Sequence, residues 1–252
     1  IDESSGVARN LQNDKLLWTH NDSGDEPRVF AFDVEGRTVG GYCIAGATAV
    51  DWEDMASAVV QGQHLLYLGD FGDNESQRPE CIIYRVEEPL LDGKVMSEPG
   101  RLLLYDVVRF QYEDGPHNCE AMGVDPSTGF IYLATKDGRD SCGVFELAQT
   151  PGGDKDVITA KRIADLNLPR ITAMDISPDG LRAIILTYKD AYLFRRSPAE
   201  TWRDAFAKTP ERVRLPERRQ GESVCFSSDG KTLYLTSEQP PVPLWAVQLD
   251  EP

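Results

Sequence analysis

The sequence lacks most features that would place it in a common class of binding protein. None of its apolar runs approaches the ~20 residues that a helix needs to cross a bilayer. Lysine and arginine number only 26 against 42 acidic residues, which gives a net charge of −16. This balance excludes the clustered basic surface that nucleic acids and anionic membranes require, and it favours solubility and the attraction of cations.

Familiar catalytic motifs are also missing. A Gly-x-Ser-x-Gly nucleophile elbow is absent, which excludes a serine esterase of the α/β-hydrolase type, and so is a glycine-rich phosphate loop. The five cysteines are scattered without Cys-x-x-Cys spacing, and their odd number leaves at least one unpaired within the chain. With only three histidines as well, a zinc site is disfavoured.

What the chain does contain is a short motif that recurs five times. An acidic residue is followed by two small or apolar residues and then by a small residue that opens a predicted strand. The copies begin at Glu3, Glu53, Glu120, Thr172 and Glu222, and are thus 50, 67, 52 and 50 residues apart. A period of about 50 residues built only from strand signals is typical of a β-propeller with one repeat per blade.

We therefore predict an all-β fold, a five-bladed β-propeller of four-stranded antiparallel blades in a single domain over residues 1–252. The blades cover approximately residues 3–50, 51–117, 118–170, 171–220 and 221–252. The longest step exceeds the shortest by 17 residues, which indicates an insertion in the second blade. The last blade lacks a fourth strand, so either upstream sequence completes it or it is three-stranded. Residues 198–208 predict a helix capped by Ser197.

Antiparallel topology predicts where the chemistry lies. In a meander, the first strand starts and the second strand ends at the same face, so the acidic openings and the polar second-strand ends share one mouth of the axial channel. We predict that the acids of the openings bind a metal ion: Glu3, Glu53, Glu120 and Glu222. We predict that side chains beside them bind substrate: Asn21, Asp22, Asp70, Tyr188 and Glu238.

Carboxylates gathered around one axis need a counter-charge. At 4–8 Å and an effective dielectric constant near 20, each pair costs roughly 2–4 kcal/mol. Three arrangements resolve the repulsion: raised pKa values on some acids, ion pairs with Lys136, Arg139 or Arg219, or a bound cation. Oxygen ligands from several loops suit Ca²⁺, which is our preferred cofactor, with another divalent cation as the alternative.

Three residues are candidates for catalysis at this mouth. His20 and His117 could each act as a general base near neutral pH, and Lys136 could stabilise an anionic transition state. Each also has a structural interpretation, as a hydrogen-bonded histidine that holds blade loops or as a lysine paired with a rim acid. His64 lies in a turn at the opposite face and is interpreted as structural.

Four motifs together resemble a family of bacterial propeller proteins of no settled activity. They are His20–Asp25, Asp51–Asp54, Gly69–Asn74 and Gln220–Ser223, and they span nearly the whole chain. The resemblance implies the propeller fold and export from the cytoplasm. We therefore expect an extracytoplasmic protein, periplasmic or secreted.

More remotely, the acidic openings are similar to those of calcium-binding propeller hydrolases, which include the gluconolactonase and phosphotriesterase-like group, the propeller phytases and the calcium-dependent nucleotidases. In these enzymes a channel Ca²⁺ orients an ester or phosphoester oxygen. The resemblance implies Glu3, Glu53, Glu120 and Glu222 as ligands, whereas the fourth repeat departs with Thr172, and Asp175 is the nearest acid that could replace it.

These observations favour a Ca²⁺-dependent hydrolase that acts on an ester, lactone or phosphoester. We expect a monomer that takes a small-molecule substrate, without nucleic acid and without membrane insertion. The alternatives are a non-catalytic propeller whose mouth binds a peptide or glycan, with a structural ion or none, and a lyase or isomerase that uses the same pocket.

Overall fold

The computed structural model describes residues 4–22, 24–138, 140–148, 156–237 and 242–250. Two predicted site residues, Glu3 and Glu238, lie outside the described residues, as does Arg139. Within these ranges the fold is all-β with one short helix, as the strand signals predicted. The helix in these ranges is too short to cross a membrane.

Strand pairing divides the described chain into five consecutive antiparallel meanders. The first contains β1 (Ser4–Arg9), β2 (Leu16–Asn21), β3 (Arg28–Asp33) and β4 (Thr38–Ala45). The second contains β5 (Trp52–Val60), β6 (Gln63–Asp70), β7 (Cys81–Glu87) and β8 (Gly100–Tyr112). The third contains β9 (Cys119–Val124), β10 (Ile131–Thr135), β11 (Cys142–Leu147) and β12 (Ile158–Leu166). The fourth contains β13 (Ile171–Ile176), β14 (Arg182–Thr187), β15 (Ala191–Arg195) and β16 (Glu211–Val213). The fifth contains β17 (Gly221–Phe226), β18 (Thr232–Ser237) and β19 (Trp245–Gln248).

The first strands of the meanders form the centre of the molecule. Strand β1 packs against β5 and β17, β9 packs against β5 and β13, and β13 packs against β17, so the five first strands contact one another in a closed order. Nearly all of their residues are buried. This arrangement is propeller-like. The five first strands surround one central axis.

A buried aspartate ties three of these first strands together. Asp54 is fully buried, and its carboxylate accepts hydrogen bonds from the backbone N–H of Met122 on β9 at 2.8 Å and of Met174 on β13 at 3.1 Å. Burial raises the pKa of Asp54 well above its usual range, although the backbone donors oppose that effect.

Other buried polar pairs complete the centre. Arg9 forms an ion pair with Asp175 at 3.3 Å, and Asp175 also accepts the backbone N–H of Phe226. Burial raises the pKa of Asp175 to about 6, against the opposing charge of Arg9. Meanders one and five are joined by hydroxyls, since Ser4 lies within hydrogen-bond distance of Thr236 (2.9 Å). Each of these groups has a partner, as buried polar groups require.

The longest connection within the second meander, residues 88–99, joins β7 to β8, and the two ends of β8 pair in parallel with β4 and with β12. One predicted element differs from the structure. The helix α1 (Trp202–Phe206) begins later than predicted, because Thr201 and Asp204 form its capping box. The bond from Ser197 N–H to Glu200, on which the prediction rested, exists but does not start the helix.

Candidate functional site

One small cavity lies where the first strands begin, and we call it the mouth cavity. It has a volume of about 150 Å³ and receives side chains from all five meanders. Its lining is almost entirely polar and consists of Ser4, Ser5, Asp22, Glu53, Asn74, Glu120, Lys136, Tyr188, Gln220 and Glu222. Four carboxylates and one ammonium group therefore meet in this space.

The antiparallel register explains this convergence. Glu53, Glu120 and Glu222 are each the second residue of a first strand, whereas Lys136 and Tyr188 each follow a second strand directly. Strand starts and strand ends meet at one face because each first strand pairs with the second strand that returns beside it.

Six of the predicted site residues line the mouth cavity: Glu53, Glu120, Glu222, Lys136, Asp22 and Tyr188. Four others do not, namely His20, His117, Asn21 and Asp70. Four further lining residues were not among the predicted site residues: Ser4, Ser5, Asn74 and Gln220.

Glu120 and Lys136 form the best-defined pair in the cavity. The ammonium group of Lys136 lies 3.1 Å from Glu120 Oε2, while Asn118 donates a hydrogen bond to Glu120 Oε1 at 3.0 Å. Lys136 also lies 5.0 Å from the ring centre of Tyr188. Burial lowers the pKa of Lys136, but Glu120 and Tyr188 more than compensate and hold that pKa above its usual value. The lysine is therefore a fixed positive charge.

The second acid, Glu53, is in a less favourable environment. It is 8% exposed, and burial together with the charges of Glu120, Asp22 and Asp51 raises its pKa well above the usual range. Burial also raises the pKa of Glu120, which Lys136 opposes. Of these two facing acids, Glu120 is the one stabilised as an anion, and Glu53 retains its proton more readily unless another cation is near.

Three carboxylates at one side of the mouth cavity could hold such a cation. Asp22, Asp51 and Glu53, which we call the acidic triad, have oxygens that all lie within 4.8 Å of one another. Burial, followed by the charge of Asp22, raises the pKa of Asp51. Asp22 was predicted to bind substrate and Asp51 only belonged to a motif, so sequence reasoning missed this grouping.

A glycine keeps the space beside the acidic triad open. A Cβ atom on Gly72 would lie 2.4 Å from Glu53 Oε1 and 2.5 Å from Asp51 Oδ2, so any other residue here would force these two carboxylates to move. The same residue donates its backbone N–H to the carbonyl of Asp51 at 3.1 Å. The glycine in the Gly69–Asn74 motif thus has a physical reason, since it allows the backbone to approach two carboxylates closely.

His20 lies in the core and not at the mouth. Its side chain is fully buried, and its ring packs edge-on against Trp52 at 5.5 Å between ring centres. Nδ1 lies 2.8 Å from the carbonyl oxygen of Asn21, and burial lowers the pKa of the imidazole. The ring turned inward because β2 is buried along its length, so the last residues of that strand face the packed interior.

His117 lies to the side of the mouth cavity, within a network of its own. Its two ring nitrogens are 2.8 Å from Asp137 and 2.9 Å from Asp114, and its ring packs against Tyr112 and Phe145. These contacts occupy both nitrogens. The arrangement matches the structural interpretation of a histidine that holds blade loops.

The remaining predicted residues have structural partners. Asp70 is fully buried, pairs with Arg78 at 3.0 Å and accepts the backbone N–H of Asp51 at 3.2 Å, so it orients the backbone at one member of the acidic triad. Asn21 donates a hydrogen bond to Asp25 at 2.8 Å. In the fourth meander Thr172 donates to the carbonyl of Gly221, and the ion pair of Asp175 with Arg9 leaves it in the interior.

All five cysteines are free in the structure, and four of them are buried. Burial raises the pKa of Cys81 to about 12. Buried thiols of this kind are inert packing groups, so thiol chemistry has no place at this site.

No protein-family model and no curated sequence matches this chain. Among solved structures it is similar to a gluconolactonase from Xanthomonas campestris, with a TM-score of 0.53 and 14% identity over 98% of this chain and 72% of the other. A protein from Bacteroides uniformis named as a candidate 6-phosphogluconolactonase gives a TM-score of 0.45 and 13% identity over 98% and 67%. At 14% identity the similarity to the Xanthomonas campestris protein shows the fold alone, which agrees with a propeller-like architecture.

Proposed function

We propose that this chain is a single-domain, five-bladed propeller and a metal-dependent hydrolase that acts on an ester, lactone or phosphoester at the mouth cavity. The observation that carries the proposal is the acidic triad, three carboxylates from two meanders with oxygens inside 4.8 Å, next to the ion pair of buried Glu120 with half-buried Lys136. Metal-assisted hydrolysis requires carboxylates that can hold a cation, a general base and a hydrogen-bond donor close together. The triad would hold the cation, Glu120 would be the base and protonated Lys136 the donor.

The residues present fit a divalent cation, and Ca²⁺ in particular. The acidic triad offers only oxygen ligands, which hard cations prefer, and its carboxylates can each bind through one or two oxygens. Gly72 keeps the space beside two of these carboxylates clear. The raised pKa values of Glu53 and Asp51 indicate that this cluster is unfavourable without a positive charge. Asp22, Asp51 and Glu53 would hold the ion, and the remaining ligands would be water and substrate.

A cation bound there would polarise the carbonyl or phosphoryl oxygen of the substrate. The other steps belong to side chains of the chain itself. Glu120, whose pKa is raised by burial, accepts the proton of the attacking water, and a base with a pKa nearer to neutral is more effective at this task. Lys136 remains protonated and donates hydrogen bonds to the negative charge that develops on the substrate.

This assignment gives proton transfer to Glu120 and leaves both histidines with supporting roles. The buried ring of His20 packs behind the first strands, and both nitrogens of His117 are occupied by carboxylates. The small volume of the cavity and the name of the Xanthomonas campestris neighbour favour a small lactone as the substrate.

The test is a substrate panel of aldonolactones, aryl esters and phosphomonoesters, assayed with Ca²⁺ and with EDTA. We expect turnover of one class that is lost in EDTA and restored by Ca²⁺. Glu53→Gln should abolish this turnover, because it removes one ligand of the acidic triad. Glu222→Gln is the matched control, since it makes the same chemical change in the same cavity outside the triad.

Turnover that persists in EDTA would overturn the metal-dependent mechanism. Turnover that responds equally to both variants would overturn the ligand assignment. Stabilisation of the fold by Ca²⁺ with no turnover of any class would favour a binding protein with a structural ion instead of an enzyme.

A further inference from the structure

A second cavity adjoins the mouth cavity, and we call it the side cavity. It has a volume of about 310 Å³ and is lined by Asn74, Ser76, Asn118, Lys136, Asp137 and Arg170, among others. Asn74 and Lys136 line both cavities, so a single ligand can extend from one into the other.

The two cavities differ in the sign of their charge. Four carboxylates and one ammonium group line the mouth cavity, whereas two cationic side chains and one carboxylate line the side cavity. That carboxylate, Asp137, already has two partners. His117 Nδ1 lies 2.8 Å from one of its oxygens, and the Thr135 hydroxyl donates a hydrogen bond to the other. The side cavity therefore has a net positive lining, although the chain as a whole has a net charge of −16.

Arg170 supplies the uncompensated charge. Its guanidinium group has no ion pair or hydrogen bond with any residue in the described ranges, and it lies 5.6 Å from the ring centre of Tyr188, on which Lys136 also packs. By contrast, Lys136 pairs with Glu120. Arginine presents planar donors that match the oxygens of a carboxylate or phosphate group, which makes Arg170 the natural anion-binding residue here.

The backbone around the side cavity is held in an unusual conformation. Arg170 has a φ of 48° and Ser76 a φ of 50°, both in the left-handed region that non-glycine residues rarely adopt. Among the described non-glycine residues, only Gln61 shares this property. Two of three such residues line one cavity, and backbone strain of this kind concentrates at ligand sites.

We propose that the side cavity binds an anionic oxyacid group, a carboxylate or phosphate, carried by the substrate whose reactive bond lies in the mouth cavity. Arg170 binds the anion through its guanidinium group, and the side-chain amide of Asn74 adds a hydrogen bond. Asn118 donates to Asn74 Oδ1 at 3.3 Å and to Glu120 Oε1 at 3.0 Å, so it holds Asn74 in place and does not bind the anion itself. Lys136 stands between the two cavities and orients the ligand. That the side cavity binds an anion rests on the side cavity alone. That this anion belongs to the substrate cleaved in the mouth cavity rests on the proposed function.

Anion binding can be measured without turnover. The metal is removed with EDTA, and the EDTA, itself a polycarboxylate, is then removed by dialysis into metal-free buffer. Inorganic phosphate, acetate and neutral glucose are titrated into this metal-free protein by calorimetry or by NMR shift changes. We expect saturable binding of phosphate or acetate and none of glucose. Arg170→Gln should weaken the binding about tenfold, as loss of a charged hydrogen bond does, and Arg170→Lys should restore it only in part. Arg101→Gln, an exposed arginine on β8, is the control for the change in net charge.

The two anions distinguish the ligand's chemistry, because a phosphate subsite prefers phosphate to acetate and a carboxylate subsite does not. Unchanged binding in Arg170→Gln, or equal weakening in Arg101→Gln, would overturn the assignment of Arg170, and absence of saturable binding in the wild type would overturn the subsite. If hydrolysis is found, Arg170→Gln should raise KM for anionic substrates and leave that for neutral analogues unchanged. Anion binding without hydrolysis would retain the subsite and reject the proposed function.

Discussion

Glu53→Gln should stabilise the metal-free protein and destabilise the Ca²⁺-bound protein relative to the wild type. The oxygens of the acidic triad lie within 4.8 Å of one another. At that distance two like charges repel by about 3.5 kcal/mol at an effective dielectric constant of 20 and by about 0.9 kcal/mol in bulk water. Asp22 and Asp51 are half-buried, so the interaction falls between these limits.

The sign of the pH dependence follows from the direction of the pKa shift. The pKa of Glu53 is raised in the folded protein, so the folded state holds this proton more tightly than the unfolded state does. The contribution of this proton to the free energy of unfolding is complete below the unfolded pKa of about 4.3, and it is lost as pH rises through the folded pKa. At pH 8 in EDTA we therefore expect Glu53→Gln to be about 1–2 kcal/mol more stable than the wild type.

Calcium should reverse the order. Calcium at one hundred times its dissociation constant stabilises the folded state by about 2.7 kcal/mol. The variant loses most of this stabilisation, because it lacks one of the carboxylates that coordinate the ion. The assay is urea unfolding followed by tryptophan fluorescence, for which the buried Trp18, Trp52 and Trp202 are suitable reporters. A variant less stable than the wild type in EDTA at pH 8 would refute the electrostatic reasoning, and an unchanged order in Ca²⁺ would refute the cation site.

Three further predictions test other parts of the structure. Asp54→Asn should lower the free energy of unfolding by about 2–4 kcal/mol in urea titrations, because an amide cannot accept all of the backbone hydrogen bonds that the carboxylate accepts. Lys136→Met should shift the acid limb of the activity profile to higher pH, because the pKa of Glu120 rises when its counter-charge is lost; an unshifted limb would exclude Glu120 as the base. Gly72→Ala should weaken Ca²⁺ binding at least tenfold by calorimetry, since its Cβ would lie 2.4 and 2.5 Å from carboxylate oxygens of the acidic triad, whereas Gly138→Ala, with 3.3 Å to its nearest neighbour, should not.

The sequence was sufficient to predict that acids from separate repeats meet at one face. The strand openings at Glu53, Glu120 and Glu222 could be aligned by their spacing, and antiparallel pairing then fixes which ends of the strands share a face. Lys136 and Tyr188 followed from the same rule, because each comes directly after a second strand.

The acidic triad was harder to predict, because it depends on loop conformation. Asp22 follows β2 and Asp51 precedes β5, and only the folded loops bring their oxygens near Glu53. Gly72 was a signal for it in the sequence. A glycine between two aspartates, Asp70 and Asp73, indicates that the backbone approaches another group closely at this point. The sequence does not reveal which atoms that approach serves.

The histidines show a different limit. Residues at the end of a strand can face the solvent or the interior, and a period of two leaves the direction open at the last position. His20 ends inside because its strand is buried on both faces, and its ring packs against Trp52. His117 is drawn aside by two aspartates, Asp114 and Asp137, one of which is distant in the sequence.

Two adjacent acids in β5 show why proximity to the axis does not by itself identify a functional group. Glu53 and Asp54 are neighbours in the chain, and the pKa of each is raised well above its usual range by burial. Asp54 accepts three backbone N–H groups, so its role is to join first strands. Glu53 faces other carboxylates and a cavity, and among the described residues the charge of Lys136 is what favours its ionised form, so a bound cation or a proton would stabilise it further. The partners of an acid, more than its burial or its pKa, therefore separate the groups that hold this fold together from those that can bind and react.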